Sequence, residues 1–229
     1  MTPESLPDET RLWEAAYSRF ETPDQEIQKF KQRLIKVGAE GWPREAAIVE
    51  LFCGRGNGLE ALALLGFRRL EGVDLSPRLL TQYKGHGTCY IADCRELPFD
   101  DSSKDILIVQ GGLHHLVNLS VDLDQVVCEA RRVLRPGGRL VAVEPWLTLF
   151  LRIVHVLCER AVCRKLSNRL DALATMIRYE RVTYKEWLHA PDLIMALFRS
   201  HFEVRQLSRA WGKLFFVGSP RPTDIARAS

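Results

Sequence analysis

Three glycines at alternate positions, Gly54, Gly56 and Gly58, separate a short apolar run from a helical one. Without Cβ atoms such a turn bends sharply and lets a ligand reach main-chain N–H groups. No Gly-Lys-Ser/Thr follows, so the loop is not a triphosphate P-loop. Asp74 stands at the end of the next apolar run, about twenty residues on, where a carboxylate can accept hydrogen bonds from both hydroxyls of a ribose. Asp93, in Ile91-Ala92-Asp93-Cys94, places a second carboxylate beside the same nucleoside. Taken singly, each aspartate could be a helix cap or a solvated loop residue. Three consecutive strand ends bearing suitable groups carry the argument. His114 and His115 follow the fourth strand, where a histidine is a candidate general base for an acceptor that must lose a proton. In regular structure adjacent side chains point apart, so one of them at most is expected to serve. Glu144-Pro145-Trp146 ends the fifth strand at the lip where open sheets bind ligands, and Glu144 and Trp146 are candidates to orient a small acceptor. Trp146 also fits a plain core position.

The elements that must position these groups follow from hydrophobic period. Glu9 to Val37 carries Leu12, Trp13, Ala16, Tyr17 and Phe20, then Ile27, Phe30 and Leu34, at helical spacing, with Pro23 placed to begin the second helix. Ala46 to Phe52 reads as a buried strand and Leu59 to Leu65 as the helix leaving the glycine turn. Then come Arg69 to Val73 as strand, Pro77 to Tyr83 as helix, Thr88 to Ile91 and Asp105 to Val109 as strands, and Leu123 to Leu134 as helix. Arg135-Pro136-Gly137-Gly138 stops that helix before a strand from Arg139 to Val143. Such alternation implies a Rossmann-like α/β fold, a doubly wound and mostly parallel sheet covered on both faces. Leu147 to Tyr179 is helical in period throughout and reads as an insertion over the sheet end, followed by short helices at Thr183 to Leu188 and Pro191 to Ser200. Phe202 to Leu207 and Lys213 to Val217 read as a terminal antiparallel pair, giving seven strands with the last antiparallel.

One domain of 229 residues is expected, with N-terminal helices over 9–40, a core over 46–145, a helical lid over 147–200 and terminal strands over 202–218. Met1 to Asp8 and Arg221 to Ser229 read as loose tails. A formal charge of +3, spread along the chain, gives no support to a nucleic-acid partner. There is no apolar run of spanning length and no N-terminal export signal, which points to the cytoplasm. The six cysteines form no CxxC pair and no Cys/His group at zinc spacing, so no metal is expected and the thiols are read as reduced.

Val49-Glu50-Leu51-Phe52-Cys53-Gly54-Arg55-Gly56-Asn57-Gly58 resembles motif I of class I S-adenosylmethionine-dependent methyltransferases. Gly72-Val73-Asp74-Leu75-Ser76 is similar to the acidic end of their second strand, and Ala92-Asp93-Cys94-Arg95-Glu96-Leu97-Pro98-Phe99 to their adenine-binding segment. Arg132-Val133-Leu134-Arg135-Pro136-Gly137-Gly138-Arg139-Leu140 resembles the segment before strand five. The ordered set covers Ala46 to Pro145. It departs where the family often has glycine at Phe52 and aspartate at Glu50. The resemblance implies S-adenosylmethionine as cofactor. It places Glu50, Phe52, Cys53, Gly54 and Gly56 around the methionine part, Asp74 and Leu75 at ribose and adenine, and Asp93 and Cys94 at the adenine amine. Gln110 and Gly111 would face the sulfonium, and Tyr17 would close over the cofactor. Methyl transfer to an O, N or C atom of a small-molecule acceptor follows, with His155 and Tyr179 of the insertion joining Glu144 and Trp146 as acceptor-binding candidates. The basic face of the insertion, with Arg160, Arg164, Lys165 and Arg169, reads as solvated, or else as a membrane-surface or anionic-substrate contact.

Three competing readings remain at this level. A nicotinamide-dependent oxidoreductase would use the same loop and Asp74 but lacks a Tyr-x-x-x-Lys set. A non-catalytic S-adenosylmethionine-binding protein would keep the aspartates without turnover. A methyltransferase acting on protein or RNA predicts an open basic cleft.

Overall fold

The computed structural model describes residues 12, 15–17 and 19–222, with Arg181 described by its backbone alone. The expected loose ends at 1–8 and 223–229 lie outside that range. Arg221 departs from its expectation, because its N–H donates to His201 and its guanidinium to the carbonyl of Arg199.

Seven strands form one sheet in the order β3-β2-β1-β4-β5-β7-β6. They are β1 (Ala47–Leu51), β2 (Arg69–Asp74), β3 (Thr88–Ile91), β4 (Lys104–Gln110), β5 (Leu134–Pro145), β6 (Phe202–Ala210) and β7 (Lys213–Pro220). β1 to β5 pair in parallel, while β7 runs antiparallel to both β5 and β6. Strand order reverses between β1 and β4, so a crevice opens at the carboxyl ends of those two strands.

Helices cover both faces: α1 (Pro23–Lys36), α2 (Asn57–Leu64), α3 (Pro77–Leu80), α4 (Leu119–Val133), α5 (Leu149–Glu159), α6 (Ala161–Leu166), α7 (Asn168–Tyr179), α8 (Arg181–His189) and α9 (Pro191–His201). Pro23 begins α1 as expected, behind a capping box in which Thr22 and Gln25 satisfy each other's backbone N–H groups. Period-two alternation sorts the strands into two apolar layers. Ile48, Ile106, Ile108, Val141, Val143, Phe215 and Val217 pack with Leu34, Leu59 and Leu62 of α1 and α2. Val49, Leu51, Leu107, Val109, Ala142 and Phe216 pack with α4, α8 and α9, where Phe198 stacks on Phe216 at 4.5 Å. Each such buried side chain contributes about 1.5–3 kcal/mol.

Several boundaries differ from expectation for local reasons. α3 is a single turn, capped by Ser76 and ending at Leu80, short of Tyr83. α4 begins four residues before Leu123 and ends at Val133. β5 starts at once with Leu134 opposite Lys104, and Arg135-Pro136-Gly137-Gly138 bulges out before Arg139 pairs with Ile106. The stretch from Leu147 to Tyr179 is three helices, because Arg160 and Ser167 take extended backbone between them. Thr148 starts the first of these: its hydroxyl accepts from Leu151 N–H at 3.2 Å and from Gly212 N–H, in the β6–β7 turn, at 3.1 Å.

Candidate functional site

The strand faces deliver two groups of polar residues to the carboxyl edge of the sheet. Glu50 follows Ile48 and Gln110 follows Ile108 on the face covered by α1, and Lys213 precedes Phe215 on that same face. Glu144 follows Ala142 on the opposite face.

On the α1 side, Phe52 ends the strand with φ 55°, a left-handed conformation that glycine adopts freely and a side chain adopts at a cost of about 1 kcal/mol. Gly54 and Gly56 continue the turn at φ 54° and 81°. The Cys53 carbonyl accepts from Gly56 N–H at 2.8 Å, closing it. Asp74 braces the loop from the next strand, its two carboxylate oxygens accepting Gly54 N–H and Ser76 N–H, both at 2.8 Å. A carboxylate offers about four lone-pair sites, so two remain for a diol. Leu75 beside it is 63% exposed.

Glu50 is 2% exposed and rests against Gly58, where a Cβ would come within 1.8 Å of a carboxylate oxygen. Its Oε2 has no hydrogen-bond partner, and neither amide atom of the Gln110 side chain has one. Burial pushes the Glu50 carboxyl up to about 8, with the Glu26 charge adding to the rise. Buried polar atoms are ordinarily paired, so this set of orphans marks a place built for a polar, cationic partner. The α-amino and carboxylate ends of a methionine fit these donors and acceptors, and the Asp74 edge fits its nucleoside.

Above the loop, α1 contributes Glu26, which the sequence reading did not single out although it interrupts the apolar stripe of Ile27, Phe30 and Leu34. Its carboxylate accepts from Asn57 Nδ2 at 2.6 Å and from the Tyr17 hydroxyl. Tyr17 is tied in this way to Glu26, with Arg55 across its ring at 5.2 Å. Lys213 was also missed. Burial, Arg33 and Lys29 push its amine down to about 7 against the pull of Glu144 and Glu180.

Some residues are placed otherwise than expected. The Cys53 thiol turns beneath the loop against Gly72, and Cys94 is buried among Leu97 and Leu123, with burial and Asp93 pushing its thiol up to about 12. Both thiols are buried. The Asp93 carboxylate is held by Arg95, whose Nη2 lies 2.6 Å away and whose other branch reaches Asp122 at 2.8 Å. Those bonds keep Asp93 below the usual carboxylate range.

On the opposite face, Glu144 is fully buried and, unlike Glu50, has both carboxylate oxygens engaged within the protein. It accepts from Gly112 N–H at 2.8 Å and Leu113 N–H at 3.0 Å and meets His114 Nδ1 at 2.9 Å. Burial alone would raise its carboxyl. The His114 bond and charge and the two N–H groups outweigh that and hold it below its ordinary value. An ionised carboxylate only accepts, so Nδ1 donates to Glu144, while Nε2 faces the Glu180 carboxylate. Trp146, also expected at the acceptor, is a core residue at 6% exposure with Arg209 across its ring.

The two histidines do converge, against expectation, because residues 113–115 form a 3-10 turn. Their rings lie 4.1 Å apart, with His114 Nε2 3.8 Å and His115 Nδ1 3.9 Å from the Glu180 carboxylate. Burial and the His114 charge lower His115 from its ordinary value. Tyr184 packs edge-on to His114 and bonds His155 Nε2 at 3.1 Å, which ties the insertion to this group. Tyr179 makes no hydrogen bond or ring contact with it among the described residues; the adjacent Glu180 occupies that place. His114, His115 and Glu180 bring three donor atoms within 4.8 Å of one another, a set able to hold a divalent cation. Asp124, Cys128 and His201 do the same on the outer surface of α4 and α9. Two open clefts lie away from the glycine turn: one of about 420 Å³ beside α4, lined in part by Asp93 and Arg95, and one of about 320 Å³ at the amino ends of β1 to β4.

Residues 49–142 match the family model described as a methyltransferase domain. An uncharacterised protein of a Streptomyces fradiae transposon is 33% identical over 137 residues, covering 56% of this chain and 38% of that protein. The demethylmenaquinone methyltransferase of Tropheryma whipplei is 25% identical over 175 residues, covering 74% and 70%. The solved structure of geranyl diphosphate methyltransferase in complex with S-adenosylmethionine superposes with a TM-score of 0.59 at 14% identity, over 96% of this chain and 92% of that one. The chain thus spans well under two thirds of the first of these relatives.

Proposed function

Because the chain belongs to the class I S-adenosylmethionine-dependent methyltransferases, we propose that it transfers a methyl group to a small-molecule acceptor at the carboxyl edge of β4 and β5. The observation that carries this reading is the set of buried, unpartnered atoms of Glu50 and Gln110 beside the Asp74-braced glycine turn. Glu50 and Gln110 would hold the methionine end, Asp74 the ribose, and Leu75 with the main chain of Asp93 and Cys94 the adenine. When bound, the cofactor supplies a methyl group already activated on a sulfonium, so positioning and exclusion of water provide much of the rate.

His114 is the proton acceptor in this reading. Glu144 fixes its Nδ1–H, orients the ring and stabilises the imidazolium that forms when Nε2 takes a proton from the acceptor. Helices α5 to α7 form a lid over the acceptor, linked to the base through His155 and Tyr184. Hydroquinone-type acceptors are the first to try, because the similar Tropheryma protein is a demethylmenaquinone methyltransferase.

The test is transfer of isotopic label from the methyl group of S-adenosylmethionine to low-mass acceptors, run beside equilibrium binding of the cofactor. Label in a small product is the expected result. Tight cofactor binding with no transfer to any pool would establish the non-catalytic alternative, and label found only in protein or RNA would move the acceptor to a macromolecule.

A further inference from the structure

Helix α5 is apolar on two faces. Leu151 and Cys158 turn inward to the protein. On the other side Leu149 is 75% exposed, Ile153 53% and Val156 51%, with Phe150 and Leu157 exposed between them. At helical spacing these five residues span roughly a third of the circumference. A surface helix normally turns charge outward there, and a contiguous exposed apolar patch marks an interaction site.

Two further features say what covers it. Trp211, 76% exposed, stands at the tip of the β6–β7 turn with its ring against Phe150 at 5.4 Å. Its φ of 51° is the left-handed conformation that the two-residue Trp211-Gly212 turn requires, which asparagine, aspartate or glycine adopts more readily than tryptophan. Five basic residues against one acidic residue lie between Leu149 and Leu170. Arg152, Arg160, Arg164 and Lys165 have no ion-pair partner among the described residues, whereas Arg95, Arg132 and Arg135 do.

From these observations we infer that α5, α6 and Trp211 form a docking face for an anionic lipid bilayer. The apolar stripe enters the headgroup boundary, the indole sits at that level, and the unneutralised cations meet lipid phosphates. No helix among the described residues is long and apolar enough to cross a membrane, so the contact is interfacial. The inference goes beyond methyl transfer and does not depend on it.

Co-sedimentation of the full chain with vesicles tests it, using phosphatidylcholine alone and equal parts phosphatidylcholine and phosphatidylglycerol. Retention on the mixed vesicles is expected, about tenfold weaker on phosphatidylcholine and weakened by salt. The double variant Ile153→Asp, Val156→Asp should lose about tenfold in retention while keeping its circular dichroism and cofactor affinity. Tryptophan emission should shift to shorter wavelength on the mixed vesicles, and the shift should vanish in Trp211→Phe. Absence of retention, equal retention on both compositions, or retention unchanged in the double variant would overturn the inference. A concentration-dependent dimer abolished by the two aspartates would assign the face to a second copy of the chain.

Discussion

Glu50 shows what a binding residue costs before its ligand arrives. With its carboxyl pushed up to about 8, the folded chain holds a proton that the unfolded chain releases near 4.5, so stability falls as pH rises across that window. Glu50→Gln should therefore stabilise the free protein by about 2 kcal/mol at neutral pH, read as a higher Tm, while weakening S-adenosylmethionine. In the parent protein, cofactor affinity should rise with pH up to about 8, because the bound ammonium favours the carboxylate. Titration calorimetry should find that limb missing in Glu50→Gln, and a persisting limb would mean that another group titrates. Asp74→Ala should cost about 1–3 kcal/mol of cofactor affinity; unchanged affinity would remove Asp74 from the ribose. His114→Gln should lower methyl transfer by about a hundredfold or more with cofactor affinity retained, and Glu144→Gln should shift the pH profile of turnover. At this scale Asp74 was pointed to by its place at a strand end after a buried run, whereas Glu50 and Gln110 were pointed to only by the family resemblance. It did not reveal Glu26, Lys213 or Glu180, whose relevance comes from contacts between distant segments. Lys213 shares strand parity with Phe215 and Val217, so its inward face was present in the period-two pattern.

Among the elements, α2 is held close to the site. Its first turn packs so closely on Glu50 that Gly58→Ala would force a Cβ to within 1.8 Å of the carboxylate. That variant should lose about 2 kcal/mol or more of stability and most cofactor binding, as seen in a lowered Tm and a flat titration. The insertion makes the opposite prediction. Replacing 149–179 by a flexible linker should cut acceptor turnover about tenfold or more while cofactor affinity stays within about twofold; equal losses would make these helices structural. Strand and helix order were legible because alternation and turn residues repeat locally. The ends were less so: Ser76 caps a single turn, and nothing in Arg135-Pro136-Gly137-Gly138 reveals that Leu134 already pairs with Lys104. The convergence of His114 and His115 was hidden for a similar reason, since a 3-10 turn obeys neither the helical nor the strand rule.

For the molecule as a whole, the site joins α1, the glycine turn, the ends of β1, β2 and β4, and the 3-10 turn bonded to Glu144. A ligand spanning them binds the folded state alone, so a hundredfold excess over Kd should add about 2.7 kcal/mol to unfolding, measured as a rise in Tm that Asp74→Ala diminishes. Thr148 has a similar reach on a smaller scale, since one hydroxyl serves both the amide that opens α5 and the amide at Gly212. The insertion and the final hairpin are thereby geared together. If the insertion swings to admit an acceptor, the hairpin must swing with it or lose a shared tether, so deuterium uptake at Leu151 and Gly212 should rise and fall in step.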